Sequence, residues 1–68
     1  MKVIVNGEPR RLHDGATVAS VVAMLDVAPG ARGLAVAVDG VVVARSRWAE
    51  TELHDGSQVE VVAAIQGG

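Results

Sequence analysis

Lys2-Val3-Ile4-Val5-Asn6-Gly7-Glu8-Pro9-Arg10-Arg11-Leu12 reads as one apolar alternation folded back on itself. Thr17-Val18-Ala19-Ser20-Val21-Val22-Ala23-Met24-Leu25 follows with a different period. Val3 and Val5 fall on one face of a strand over residues 2–6, since successive side chains of a strand point to opposite faces. Asn6-Gly7 supplies the two positive-φ positions of a tight hairpin turn and leads into a second strand over 8–12. Pro9 has no N–H to give to a ladder, so that strand belongs at a sheet edge. Thr17 is a strong N-cap residue. Beyond it, Val18, Val21, Val22 and Leu25 recur at i, i+3, i+4 and i+7, the stripe of an amphipathic helix, and Pro29-Gly30 closes that region.

Working outward, residues 34–38 and 41–45 flank Asp39-Gly40 and predict a second hairpin. A polar stretch holding Trp48 follows, then a last strand over 58–65, and Gln66-Gly67-Gly68 runs on from it. The order is ββαβββ, an α+β arrangement. A helix that crosses between strands of one sheet packs on one face and crosses right-handed. The compact solution is a mixed sheet of four to five strands around one helix. Val3, Val5, Val18, Val21, Val22, Leu25, Val36, Val38, Val43, Val59 and Val61 are expected to share its core, with Trp48 a half-buried ring at one end. The expected organisation is one folded unit over 1–65 and a flexible tail over 66–68.

Composition narrows the function classes. Sixty-eight residues leave room for one domain and little room for a walled pocket, which argues against a self-sufficient enzyme. A net charge of −2 and a single aromatic residue, Trp48, lack the basic stripes and stacking platforms of nucleic-acid binders. No apolar run approaches the ~18 residues of a membrane span, and the opening Met1-Lys2-Val3-Ile4-Val5 does not look like a signal peptide. The absence of Cys excludes thiol nucleophiles, thiolate metal sites and disulfides. A cytoplasmic protein with no bound cofactor is the expectation.

Motifs for catalysis are missing as well: no phosphate-binding glycine loop, no HExxH, no GxSxG. Ser20, Ser46 and Ser57 have no evident His and Asp partners. Leu12-His13-Asp14-Gly15 recurs as Leu53-His54-Asp55-Gly56. Two His and two Asp suggest a metal site, but neither His has a helical i, i+4 partner, and two chain segments leaving an element through Asp-Gly turns account for the repeat more simply. Arg45 and Arg47 flank Ser46, a pair able to meet an anion and more simply read as solvated charge.

The chain's end has its own chemistry. Terminal glycines add no packing and weaken local structure; the plain reading is a frayed tail, common at chain ends, and their physical use, where they have one, is access. Three extended residues reach about 10 Å, and Gly67 and Gly68 have no side chains to obstruct a narrow channel. An α-carboxyl titrates near ~3.5 and is ionised at neutral pH. The Gly68 carboxylate can therefore attack the α-phosphate of ATP, and the resulting acyl-adenylate is open to a sulfur nucleophile.

Val5-Asn6-Gly7-Glu8, Thr17-Val18, Ala35-Val36-Ala37-Val38-Asp39-Gly40, Val43-Ala44-Arg45, Arg47-Trp48-Ala49, Leu53 with Asp55-Gly56, and the final Gly67-Gly68 are the features that carry a resemblance. From Val3 to Gly68 the chain resembles the ThiS sulfur-carrier family of thiamine biosynthesis, within the ubiquitin-like β-grasp group. The resemblance implies a non-enzymatic carrier. A ThiF-like adenylyltransferase would activate Gly68 with ATP, a sulfur donor system would convert it to a thiocarboxylate, and a ThiG-like thiazole synthase would receive the sulfur. Asp39, Ala44 and Ser57 depart from residues common in the family, which has Asn, Pro and a second acid there.

Other readings of the same pattern are a MoaD-like carrier of molybdopterin synthesis, a ubiquitin-like modifier, and a non-covalent β-grasp interaction domain. Val62-Ala63-Ala64-Ile65-Gln66 contains no Pro, which favours ThiS over MoaD. In the last strand, Val59 and Val61 facing the helix leave Val62 and Ala64 on the far face. There they are expected beside Ile4 and Ala37 as a partner-docking patch.

Overall fold

A computed structural model describes residues 1–25 and 33–63, with side chains as far as 62. The Pro29-Gly30 closure, Ala64 and residues 65–68 lie outside them. Seven elements follow one another: β1 (Lys2–Val5), β2 (Glu8–Arg11), α1 (Val18–Met24), β3 (Leu34–Val38), β4 (Val41–Val43), a 3-10 turn (Arg45–Arg47) and β5 (Gln58–Ala63). The strands form one mixed sheet in the order β2-β1-β5-β3-β4. β1 runs parallel to β5, and every other neighbouring pair is antiparallel. β2, with Pro9, is an edge strand, as expected.

One sheet face packs against α1. Val3, Val5, Val36 and Val59 meet Val18 and Val21 there, all buried, with Val22, Leu25, Val38, Val43, Val61 and Trp48 packed around them. All eleven residues expected in the core belong to this cluster. Leu53 and Ala16 are buried too, although neither sits in an apolar periodicity. They meet where the segment before β5 pairs with the approach to α1: Leu53 N–H donates to Ala16 C=O (2.9 Å) and Val18 N–H to Thr51 C=O (3.0 Å).

That pairing also completes the start of α1. The first turn of a helix has N–H groups with no partner inside the helix. Ala19 N–H reaches Trp48 C=O (3.1 Å), and Ser20 N–H reaches Thr17 Oγ1 (3.3 Å). Thr17 N–H in turn donates to Ser20 Oγ (3.1 Å), so the N-cap expected at Thr17 is one half of a reciprocal capping box. At the other end the helix is shorter than its apolar stripe. Leu25 takes extended backbone angles as the C-cap while still packing on the core.

β4 is also shorter than the pattern suggests, ending at Val43 rather than Arg45. The reason is Trp48, whose indole Nε1–H donates to Val43 C=O at 3.0 Å. Closing that bond over five residues requires the chain to coil through the 3-10 turn.

Of the Asx-Gly pairs, Asn6-Gly7 and Asp39-Gly40 have positive φ at both residues, the two-residue hairpin geometry. At Asp14-Gly15 and Asp55-Gly56 only the glycine does, and those turns lead into α1 and β5 instead of hairpins. Leu53→Ala is expected to cost about 2–5 kcal/mol, because its side chain is only 3% exposed. The half-buried Leu25, at the C-cap of α1, should cost less when truncated. Paired urea denaturation curves give the comparison.

Candidate functional site

β5 delivers the chain toward its glycines, and three turn residues hold β5 and its neighbour in register. Ile4 N–H and Asn6 N–H donate to Ser57 and Val59 C=O, both at 2.9 Å, along the parallel ladder. At Asn6 the backbone turns away into its hairpin, and the side-chain amide takes over. Val61 N–H donates to Asn6 Oδ1 (2.8 Å), and Asn6 Nδ2 donates to Val61 C=O (3.3 Å). One primary amide thus stands in for a strand residue's acceptor and donor.

Asp39 brackets Gln58 in the same way from β5's other flank. Gln58 N–H donates to Asp39 Oδ1 (2.9 Å), and Asp39 N–H donates to Gln58 C=O (2.8 Å). Asp55-Gly56 brackets Lys2, whose N–H donates to Asp55 Oδ1 (2.7 Å) and whose C=O accepts from Gly56 N–H (2.7 Å). In these two brackets a backbone N–H supplies the donor, so a carboxylate suffices. Only at Asn6 must the side chain both accept and donate, and it is the chain's single Asn.

The sheet face away from α1 carries the expected docking residues, in a different grouping. Ile4 lies between Pro9 on β2 and Gln58 on β5. Ala37 lies between Val42 on β4 and Glu60 on β5, and Val62 faces Ala35. Ala37 and Val62 therefore share a patch with Ala35 and Val42, while Ile4 is set apart behind Gln58 and Glu60. The expectation that Val62 lies beside Ile4 fails because the parallel register matches Ile4 to Gln58, four residues earlier in the strand. Val42, 73% exposed, and Val62, 61% exposed, dominate the patch. Val42 was legible in principle, since a two-residue turn at Asp39-Gly40 fixes Ala37 opposite it.

Other polar residues singled out in the sequence have structural jobs. Ser57 is buried, and its Oγ accepts from His54 N–H (2.9 Å). The two Leu-His-Asp-Gly segments close matching turns, His13 C=O to Ala16 N–H and His54 C=O to Ser57 N–H. No cluster of three or more His, Cys, Asp or Glu suited to a metal occurs among the described residues. Trp48 sits against the core with the Arg45 guanidinium 5.2 Å from its ring centroid, and Arg47 pairs with Glu50 (3.7 Å).

The family model of the ThiS family matches residues 3–68. The chain belongs to the ThiS family. A crystal structure of the thiamine biosynthesis protein ThiS from Geobacter metallireducens superposes with a TM-score of 0.79 at 28% identity, covering all of both chains. The solution structure of a thiamine biosynthesis protein from the same organism gives 0.75 at 28% identity, over all of this chain and 88% of that one. These neighbours identify the sheet-and-helix architecture as the ubiquitin-like β-grasp of ThiS proteins. The chain is also 35% identical over its full length to a thiazole synthase of Paramagnetospirillum magneticum, and spans about a fifth (20%) of that protein.

Two departures from common ThiS residues have local explanations. Asp39 needs only to accept, and Ser57 holds its own turn. The Asn6 clamp yields a prediction. Asn6→Gly keeps the positive φ but removes both side-chain bonds, and should cost about 1–3 kcal/mol at ~0.5–1.5 per bond. Amide hydrogen exchange at Val61 should accelerate more than at Val59, whose partner is backbone.

Proposed function

We propose that this ThiS-family chain is a sulfur carrier for thiazole formation in thiamine biosynthesis, with Gly68 as its working residue. The observation that carries the reading is the family match, which runs through Gly67 and Gly68 on a β-grasp fold whose central strand leads toward them. The thiamine-biosynthesis neighbours and the thiazole synthase that contains a stretch similar to this whole chain support the pathway and a ThiG-like acceptor.

In this reading a carboxylate oxygen of Gly68 attacks the α-phosphorus of ATP on a ThiF-like enzyme, and pyrophosphate leaves. A sulfur nucleophile from the donor system then attacks the acyl carbon of the adenylate and AMP leaves. Where that nucleophile is at the sulfide level (HS−), the acyl–sulfur bond formed as AMP leaves is already the thiocarboxylate, with one oxygen replaced by sulfur and no oxidant or reductant consumed. The folded part, 1–65, acts as a handle and 66–68 as the tail that enters the partner. Gly67 keeps the approach narrow. The patch of Ala37, Val62, Ala35 and Val42 is the docking face for the activating enzyme and the synthase in turn, with Ile4 on the same sheet face but apart from it. Glu60, next to Ala37, offers it a charge with which to set orientation.

Deleting Gly68 withdraws the carboxylate by about 3.5 Å, and in-line attack requires reacting atoms within roughly 3–3.5 Å. ATP–pyrophosphate exchange with the activating enzyme should fall to background. Gly67→Val should do the same by obstruction, with melting temperatures unchanged in both. Wild-type exchange in the deletion variant would end the carrier reading. A ladder of protein conjugates in place of a single oxygen-to-sulfur mass change would point to a modifier.

Val62→Asp places a carboxylate in the docking patch without touching the core. It should weaken pull-down of both the activating enzyme and the synthase by at least about tenfold, the equivalent of ~1.4 kcal/mol. Undiminished capture of either partner would rule out a shared face.

A further inference from the structure

The Asn6-Gly7 turn is required by the fold yet is built from a chemically labile pair. Both residues take positive φ, 50 and 82, which selects Asn followed by Gly. Asn6 is needed a second time for its amide, which accepts from Val61 N–H (2.8 Å) and donates to Val61 C=O (3.3 Å). The same pair sets a side-chain amide carbon beside a backbone nitrogen that nothing shields. Gly7 N–H has no backbone acceptor among the described residues, and a Cβ added at Gly7 would meet nothing within 4 Å. Both residues are exposed, and they line a solvent-open hollow with Gln58 and Glu60.

We propose that Asn6 is a site of spontaneous deamidation, shielded by its own clamp on Val61, and that conversion there unlatches β5. In the reaction the Gly7 nitrogen gives its proton to solvent base and attacks Asn6 Cγ. The new C–N bond closes a five-membered succinimide, and the bond from Cγ to the side-chain nitrogen breaks as ammonia leaves. Water then opens the ring. Cleavage of the new bond leaves an aspartyl residue. Cleavage of the original peptide bond leaves an isoaspartyl residue, whose main chain runs through the former side chain. No oxidant or reductant enters. The attack requires the side chain to fold back over its own peptide bond, whereas in the folded chain it is stretched across to β5 with both amide heteroatoms engaged. The clamp must open first, so the reaction samples the open fraction of this end of β5. Both products damage the clamp. A carboxylate accepts only, so Val61 C=O loses its donor and faces a negative charge, with Glu60 lining the same hollow. The isoaspartyl form also adds an atom to a two-residue turn and carries its carboxylate on a stub too short for Val61. The event needs no partner and is independent of the carrier role.

The test is incubation of the full chain at mildly alkaline pH. Asn6 is the single Asn, and peptide mapping separates its conversion from any at Gln58 or Gln66. Conversion in the folded chain should be at least about tenfold slower than in the same chain unfolded in urea, as for a clamp open about a tenth of the time or less. Val61→Ala keeps both backbone partners of the amide but loosens the packing of β5 on the core, and should speed conversion severalfold while the fold persists. In the converted chain, amide exchange at Val61 should quicken by at least about tenfold while the β3–β4 amides keep their rates. Asn6→Asp supplies the aspartyl product in pure form. Its new carboxyl, when protonated, regains a donor for Val61 C=O, so the folded state raises its pKa. The stability deficit of Asn6→Asp against the unsubstituted chain should therefore be present at neutral pH and shrink as pH falls toward ~3.9. The charged groups around that carboxyl are Glu60 and Glu8, the latter paired with Arg10 (3.7 Å); Glu60→Gln in both backgrounds should leave the trend in place. Equal conversion in folded and unfolded chains, no conversion in either, or unchanged exchange at Val61 after conversion overturns the proposal.

Discussion

The parallel pairing of β1 with β5 at the centre of the sheet is the constraint on which the rest of the structure depends. It joins the first strand to the last, so the chain between them must supply a right-handed crossover. α1 fills that role and covers the face on which Val3, Val5 and Val59 lie. The contact is also long-range, with Ile4 matched to Gln58, and such contacts pay their loop-closure entropy before they return any stabilisation. Short local hairpins on both sides, β1–β2 and β3–β4, reduce what remains to be ordered when β5 docks. The Asn6 amide prolongs the central pairing past the end of β1 and carries it along β5 to Val61, whose other flank is held by β3.

In the proposed carrier role, a strand presents the chain end and the chemistry is left to the partner. From Ala63, the end of β5, the remaining five residues to Gly68 span at most about 17 Å when extended. That length suffices to enter a partner's site only if the folded part docks close by. In the proposed function, docking surface and tail are parts of one requirement, and both are served by β5. Its outward side chains Glu60 and Val62 belong to the proposed patch, and the proposed tail follows β5 in sequence. A change to β5 register would move both together, so in this reading the side-chain brackets on Gln58 and Val61 serve the proposed function as well as stability.

Much of this was readable before the structure. The period-two valines of β1, β3 and β5, the i, i+3, i+4, i+7 stripe of α1 and the Asn6-Gly7 and Asp39-Gly40 turns report local geometry, and each element appeared where its pattern placed it. What escaped was set by contacts distant in sequence. Leu53 sits in no periodic segment and is buried because the 51–53 stretch pairs with residues 16–18. β4 stops at Val43 because of an indole hydrogen bond. Ile4 and Val62 share a face but not a neighbourhood, since the register of a parallel pair joined by a crossover cannot be counted along the chain as a hairpin's can. The four Asx-Gly pairs were legible as turns. That three of them also clasp a neighbouring strand was not, because the clasped residue is 55, 19 or 53 positions away.

Those clasps answer a problem posed by the composition. The core is made almost wholly of Val, with Ala16 and Leu53, and Trp48 is the chain's sole aromatic residue. Side chains so alike in shape fill space but discriminate poorly between registers, and hydrophobic residues of about the right size get a chain folded before they make it unique. A slip by one residue is forbidden, because it would turn the buried set of a strand outward. A slip by two keeps the faces correct and replaces Val by Val: Val59 and Val61 are such a pair in β5, as Val3 and Val5 are in β1. Val–Val contacts alone barely oppose it. Directional polar brackets do, since after a two-residue slip Asn6, Asp39 and Asp55 would each meet a residue whose N–H and C=O already belong to a ladder or to none. In a domain too small for a large and varied core, turn residues thus specify the register that the apolar residues stabilise, and one turn residue, Asn6, links that specification to the strand from which the tail departs.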